Sequence, residues 1–384
     1  VVLLLRKSLI LFICIAAVIC SPGLWNAAAG IGALSSASAV LYEPDSKRVL
    51  HGKGADSPRP MASTTKIMTA LLAIELSPLD RVITVPEQAV RVEGSSLGLS
   101  GGDRITMLDL VTGMLLESGN DAANAVAFAV AGSIEAFVRL MNRRAKEIGM
   151  KNTFFATPSG LDEDGHRSTA YDMALLAAEA IKNPVIAKIC ASKSALIVFG
   201  DPPRKVRVTN HNRLLQLYPH AVGMKTGFTK KSGRCLVSAA EKDGVRLIAV
   251  TLKAGDDWND HIKMYEYGFS LVELVAFPAQ DLPDLDVAGG RVNKVALKMD
   301  APPSKVLLKE EKSKLRAELS LPKFLIAPVK SGETVGSVRY FAGDREICKA
   351  DIKAAAEVTA RPVAGFFERV LRRFAEFFRA LARL

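Results

Sequence analysis

Arg59-Pro60-Met61-Ala62-Ser63-Thr64-Thr65-Lys66 leads directly into an apolar run from Ile67 to Leu76. The run is long enough for several helical turns, so a helix is expected to begin close to Ser63. Ser63 and Lys66 then share a helix face. A serine hydroxyl is a weak nucleophile at neutral pH and needs an adjacent base. Lysine serves only where burial or a second cation lowers its pKa, which the apolar residues around Lys66 and the distant Lys225 would do. Alone, the pattern fits better a helix N-cap followed by a solvated lysine.

Two further stretches change that balance. Leu115-Leu116-Glu117-Ser118-Gly119-Asn120-Asp121-Ala122 reads as a polar turn between two helices, with Gly119 allowing the sharp bend. Ser118 would relay a proton and the Asn120 amide would hold both the lysine and a substrate carbonyl. An interhelical turn capped by Asn120 or Asp121 is the plainer reading. Lys225-Thr226-Gly227 precedes two apolar segments, Cys235 to Ala240 and Arg246 to Leu252, joined by Asp243-Gly244. That is a hairpin signature, and it places the lysine on a neighbouring antiparallel strand. Lys225 and Thr226 offer a charge and a hydroxyl to a carboxylate, and Gly227 lets backbone approach a ligand. Three weak signals in this order and in these contexts are unlikely to coincide by chance, and the set marks active-site serine acyltransferases of the penicillin-recognising kind.

The chain resembles the low-molecular-weight penicillin-binding proteins of the serine D-alanyl-D-alanine carboxypeptidase family, its Bacillus-like branch in particular. The likeness runs from about Ser38 to Leu384 and includes Gly94-Ser95-Ser96, Asn152-Thr153, Ser159-Gly160-Leu161-Asp162 and Thr169-Ala170-Tyr171-Asp172-Met173-Ala174. The resemblance implies an α+β fold: a β-lactamase/transpeptidase-like catalytic domain, a small all-β domain and a C-terminal amphipathic helix. It implies Ser63 as acylated nucleophile, Lys66 as base, Ser118 and Asn120 as the second catalytic element, and Lys225 and Thr226 as carboxylate binders. Gly227 completes that binding strand, and the backbone N–H groups of Ser63 and Phe228 would form the oxyanion hole. Phe228 departs from the Tyr or His common there, at a position that contributes backbone. The reaction expected is removal of the terminal D-alanine from peptidoglycan pentapeptides, with covalent inhibition by β-lactams and no metal or organic cofactor. A β-lactamase is disfavoured, because no E-x-x-L-N segment occurs and Gly119 replaces the aspartate of S-D-N.

Composition bounds less. The 384 residues have room for two domains, and the formal net charge is +11. No zinc-ligand set or nucleic-acid motif accompanies that charge, so an anionic membrane or wall is expected as partner and nucleic acid is not. Of the cysteines Cys14, Cys20, Cys190, Cys235 and Cys348, none forms a C-x-x-C pair, and Cys190 and Cys235 read as small buried apolar residues. His166, in Asp164-Gly165-His166, reads as a surface-loop histidine.

The ends carry addresses. Arg6-Lys7, the apolar run Ser8 to Cys20 and the small residues Ala27-Ala28-Ala29 read as a signal peptide spanning 1–29. A hairpin is expected from Ser38 to His51 and helices dominate the pattern from Ile67 to Lys182, including Ser133 to Gly149 with a cap at each end. A last helix, Asn259 to Leu274, closes a catalytic domain placed at 30–276. Short alternating segments such as Lys294 to Met299, Ala317 to Leu321 and Thr334 to Phe341 place an all-β domain at 277–357. From Val363 to Leu384 the large apolar residues fall on one arc of a helical wheel and the charges, five arginines and two glutamates, on the other. Within 358–384 this predicts a helix lying in an anionic membrane surface, on a protein exported across the cytoplasmic membrane and peripheral on its outer face. Recurring charges prevent it from spanning a bilayer.

Overall fold

Ser38–Glu43 (β1) and Arg48–Lys53 (β2) form the expected hairpin. Every residue of β1 is buried, which makes it an interior strand. In the computed structural model, which describes residues 31–300, 303–362 and 365–381, one unit extends to Val272 and a second starts at Glu273. The signal-peptide reading, with Cys14 and Cys20, lies outside the described residues.

Helix α1 (Lys66–Leu76) follows a 3-10 turn, Ala62–Thr65, and is buried from Lys66 to Ala73. A helix apolar on all sides belongs in a core, and α1 occupies the centre of this one. Around it come β3 (Val82–Thr84), α2 (Glu87–Val90), β4 (Arg104–Thr106), α3 (Met107–Leu116), α4 (Asn120–Ala131), α5 (Ile134–Ile148), α6 (Ala170–Ala180) and α7 (Pro184–Ala191). The caps of α5 are those read from sequence: Ser133 Oγ accepts from the Ala136 N–H at 3.1 Å, and Gly149 ends the helix at φ 93°.

The chain then forms β5 (Ser194–Phe199), β6 (Arg204–Thr209), α8 (Leu214–Leu217), β7 (Ala221–Thr229), β8 (Gly233–Lys242), β9 (Val245–Ala254) and α9 (Asp257–Leu271). Asp243 and Gly244 both hold positive φ, 51° and 77°, as a tight hairpin between β8 and β9 requires. The main sheet runs in the order β2-β1-β9-β8-β7, so β7 is an edge strand. A second sheet, β3-β4-β5-β6, does not follow from the pattern. β3 and β4 have three residues each, too few to show alternation, and β5 leaves Leu196 and Val198 exposed. Helix α9 starts and stops earlier than expected, because Asp256 caps it at the Asn259 N–H and Val272–Ala276 is a strand. Inside α9, the His261 imidazole joins Ser238 Oγ of β8 (2.6 Å) to Thr251 Oγ1 of β9 (3.0 Å).

The second unit is built from short strands in sheets of two, three and four. Its core includes Val275, Phe277, Leu307, Val338, Tyr340 and Ile352, with Phe277 and Tyr340 stacked at 4.7 Å between ring centroids. The terminal helix is Phe366–Leu381; Val363 and Leu384 lie outside the described residues.

Candidate active site

The turn before α1 sets the first half of the site. Ala62 takes φ 48°, uncommon for a residue with a side chain, and Thr64 bonds back to the Met61 carbonyl through its N–H (3.3 Å) and Oγ1 (2.6 Å). This half-buried turn presents Ser63, and Lys66 follows as a fully buried side chain. Lys66 Nζ lies 2.8 Å from Ser63 Oγ, 2.7 Å from Asn120 Oδ1 and 2.7 Å from the Ser159 carbonyl oxygen. Burial, then the charge of Lys225, hold the Lys66 pKa well below the usual lysine range, against an opposing effect of Asp121. A neutral amine has two N–H donors and one lone pair. The two carbonyl oxygens can only accept, so they take both donors and leave the lone pair for the Ser63 hydroxyl.

Ser118, not Gly119, carries the strained bend of the second element, at φ 65°. Gly119, at φ −58°, is required for a different reason. A Cβ there would stand 2.7 Å from Asp121 Oδ1 and 2.9 Å from the Leu97 nitrogen. The Asp121 carboxylate is bound by the Leu97, Gly98 and Leu99 N–H groups and by Ser96 Oγ (2.7 Å), so it orders the loop over the helix start. Asn120 opens α4; its N–H donates to Ser95 O and its Nδ2 to Glu93 O, both at 2.7 Å.

Lys225 and Gly227 point from the edge strand β7 toward α1. The Lys225 ammonium is buried, which lowers its pKa to about 8, and donates to Thr226 O at 3.1 Å. A Cβ on Gly227 would stand 3.0 Å from the Met61 oxygen and the Ser63 nitrogen, a tight fit, so glycine lets β7 lie this close to the nucleophile's turn without displacing it. Thr226 and Phe228 face outward into a cleft of about 420 Å³ that also holds Ser63 and Ser118.

The structure therefore gathers every candidate residue: Ser63, Ser118, Thr226, Gly227 and Phe228 line the cleft, with Lys66, Asn120 and Lys225 buried among the surrounding elements. Sequence reasoning missed Ser95, His211, Arg234, Asp257 and Trp258, which line the same cleft. His211 Nε2 faces Glu117 at 3.4 Å. Arg234, cross-strand from Phe228, binds Asp257 Oδ1 through Nε (2.8 Å) and lies 5.6 Å over the Trp258 ring. The β7–β8 register and the start of α9 bring Arg234, Asp257 and Trp258 together, and neither leaves a local signal.

His166 is a correction. It is buried, with Nδ1 accepting from the Ala156 N–H at 2.9 Å and Nε2 lying 2.9 Å from Thr65 Oγ1. Its loop is held beside Phe154, whose backbone pairs with that of Arg167 at 2.9 and 3.0 Å. Cys190 and Cys235 are buried free thiols whose pKa values burial raises, to about 12 and about 11.

Comparison with known proteins agrees with this geometry. The family model described as D-alanyl-D-alanine carboxypeptidase matches residues 26–256, and that of the penicillin-binding protein 5 C-terminal domain matches residues 278–360. The chain belongs to the D-alanyl-D-alanine carboxypeptidase family. It is 31% identical to the D-alanyl-D-alanine carboxypeptidase DacF of Bacillus subtilis, over 88% of this chain and 90% of that protein. It is 34% identical to DacC of Escherichia coli, over 86% and 85% respectively. The crystal structure of penicillin binding protein 5 from Haemophilus influenzae superposes with a TM-score of 0.67 at 28% identity, covering 85% of this chain and 98% of that one. That of DacD from Francisella tularensis gives 0.63 at 29%, covering 86% and 95%.

Proposed function

We propose that this serine D-alanyl-D-alanine carboxypeptidase acts through an acyl-enzyme on Ser63, releasing the terminal D-alanine of peptidoglycan pentapeptides and being trapped at the same oxygen by penicillins. The observation that carries the reading is the set of partners around Lys66 Nζ: two carbonyl oxygens and the Ser63 hydroxyl. As Ser63 Oγ attacks the penultimate D-alanine carbonyl, its proton passes to the Lys66 lone pair. The oxyanion is stabilised by the N–H groups of Ser63 and Phe228. The bond to the terminal D-alanine breaks, its nitrogen taking a proton relayed through Ser118 from Lys66. Water then attacks the ester, Lys66 accepting its proton, and Ser63 is regenerated. Lys225 and Thr226 hold the terminal carboxylate.

The protein works at the outer surface of the cytoplasmic membrane, delivered by the 1–29 segment and held by the terminal helix. Leu371, Phe374, Phe377, Phe378 and Leu381 of that helix are exposed, which supports an apolar surface outside the chain as their partner.

The test is incubation of purified protein with a D-Ala-D-Ala pentapeptide while free D-alanine is followed. Release at a catalytic rate is expected. Stoichiometric penicillin labelling without release would point to a binding role instead.

A further inference from the structure

We propose that His166 is a positioning residue for the acylation step: it ties Thr65, inside the Ser63–Lys66 turn, to the Ala156–Gly160 loop, and thereby holds the Ser159 carbonyl on Lys66. The inference rests on reading Ser63 and Lys66 as nucleophile and base.

The hydrogen bonds assign the tautomer. A backbone N–H only donates, so the bond from Ala156 makes Nδ1 the acceptor, and in a neutral ring the proton sits on Nε2 and is donated to Thr65 Oγ1. Burial favours the neutral form and lowers the pKa to about 4 against the charge of Asp162. The Phe155 ring stands edge-on at 6.1 Å and closes the other side. The imidazole thus joins two segments that meet at the base. On one side Thr65 immediately precedes Lys66. On the other, the loop runs from Ala156 through Pro158, whose carbonyl accepts from Thr69 Oγ1 of α1 at 2.6 Å, to Ser159. Gly160 lies tight against the turn, where a Cβ would stand 2.0 Å from Ala62 O and 2.8 Å from Thr65 Oγ1. The loop is seated against the nucleophile's turn, and the His166 side chain bonds to both. Without Ser159 O, one Lys66 donor would turn to the Ser63 oxygen and the lone pair would no longer be committed to the hydroxyl proton.

The charged groups at Lys66 are Lys225 from β7 and Asp121 from α4; the one acting on His166 is Asp162, whose Oδ1 accepts from Thr229 Oγ1 at 3.1 Å. Loosening the loop admits water to Lys66 and relieves the burial that leads its pKa shift, so the acidic limb of acylation moves to higher pH.

The experiment measures the second-order acylation constant with a fluorescent penicillin from pH 5 to 9 for the full chain and for His166→Phe, His166→Gln and Thr65→Val, with melting temperatures alongside. His166→Phe and Thr65→Val are expected to lose roughly 10–100-fold, the scale on which misplaced catalytic groups cost rate, and to shift the acidic limb upward. His166→Gln keeps a donor for Thr65 and recovers part of the rate. The Phe and Val changes combined are expected to cost no more than either alone, since both break one link. Folded variants that acylate within twofold of the parent, or that lose rate only in step with stability with the limb unmoved, would overturn the proposal. Should His166→Phe fail to fold, the Gln and Val variants decide it. An unlabelled parent protein would refute the Ser63 reading itself, a different result from labelled variants with unchanged rates.

Discussion

The Ser159 carbonyl oxygen accepts a hydrogen bond from Lys66 Nζ at 2.7 Å across a separation of 93 residues. With Asn120 Oδ1 it would use both donors of a neutral amine, so the chemistry proposed for Ser63 depends on a loop and a helix start that the S-x-x-K spacing does not mention.

In the proposed mechanism every covalent step passes through the Ser63 oxygen. Ser63→Ala is expected to abolish penicillin labelling while the melting temperature stays near that of the parent. Lys66→Ala leaves the hydroxyl without a base and is expected to lower acylation ~10²–10⁴-fold. With unprotonated Lys66 as the proposed base, activity is expected to fall as pH drops through a pKa that lies below the usual lysine range. Stopped-flow acylation at several pH values reads both effects.

Lys225→Ala tests carboxylate capture. Loss of the buried charge that β7 carries is expected to raise KM for free-acid peptides and slow penicillin acylation by roughly 10²-fold, the order expected for a charged hydrogen-bonding partner. A C-terminally amidated peptide is expected to be poor for the parent and scarcely worse for the variant. Parallel kinetics on the two peptides check this.

Gly160→Ala is expected to destabilise the catalytic unit by roughly 2–4 kcal/mol, combining a left-handed backbone with a Cβ clash. The φ is 89° and the nearest atom, Ala62 O, would be 2.0 Å away. Because that oxygen belongs to the turn carrying Ser63, acylation falls as well. Urea denaturation followed by penicillin labelling measures each part.

His261 gives the fold an acid sensitivity of its own. Burial lowers its pKa to about 3, while an unfolded histidine titrates near ~6.5. The folded pKa is the lower one, so the unfolded state takes up the proton first; the stability is fully present above pH 6.5 and is lost as pH falls toward 3. Between pH 7 and pH 5 this one group costs about 2 kcal/mol. His261→Gln is expected to flatten the pH dependence of the urea midpoint by that amount, whatever it does to stability at pH 7.

Truncation after Ala360 is expected to release active enzyme into the soluble fraction. Charge reversal at Arg372 and Arg373 should weaken binding to anionic vesicles by at least about tenfold, since each basic residue near such a surface contributes ~1 kcal/mol. A truncated, signal-free protein that stays on membranes would show that the helix is not the anchor, and one that loses its fold would show that the helix docks on the chain itself.

Much of this was legible in sequence because the physics involved is local. The caps Ser133 and Gly149, the Asp243-Gly244 turn and the Ser63–Lys66 spacing each depend on a few consecutive residues. The ordered set of Ser63, Ser118 and Lys225 carries the resemblance to the family that the chain belongs to. What tertiary structure alone decided depends on residues that approach from far along the chain. His166 looked like a loop histidine because nothing near it in sequence says that Ala156 and Thr65 close over it. Gly119 looked like the bend, yet its lack of a side chain makes room for Asp121 and Leu97 while Ser118 takes the strained φ. Arg234 and Trp258 reached the cleft through strand register and a helix start. Local propensity and spacing determine which elements form and which side chains could react. Burial and long-range hydrogen bonding decide whether the lysine is a base, because a pKa depends on everything packed around it.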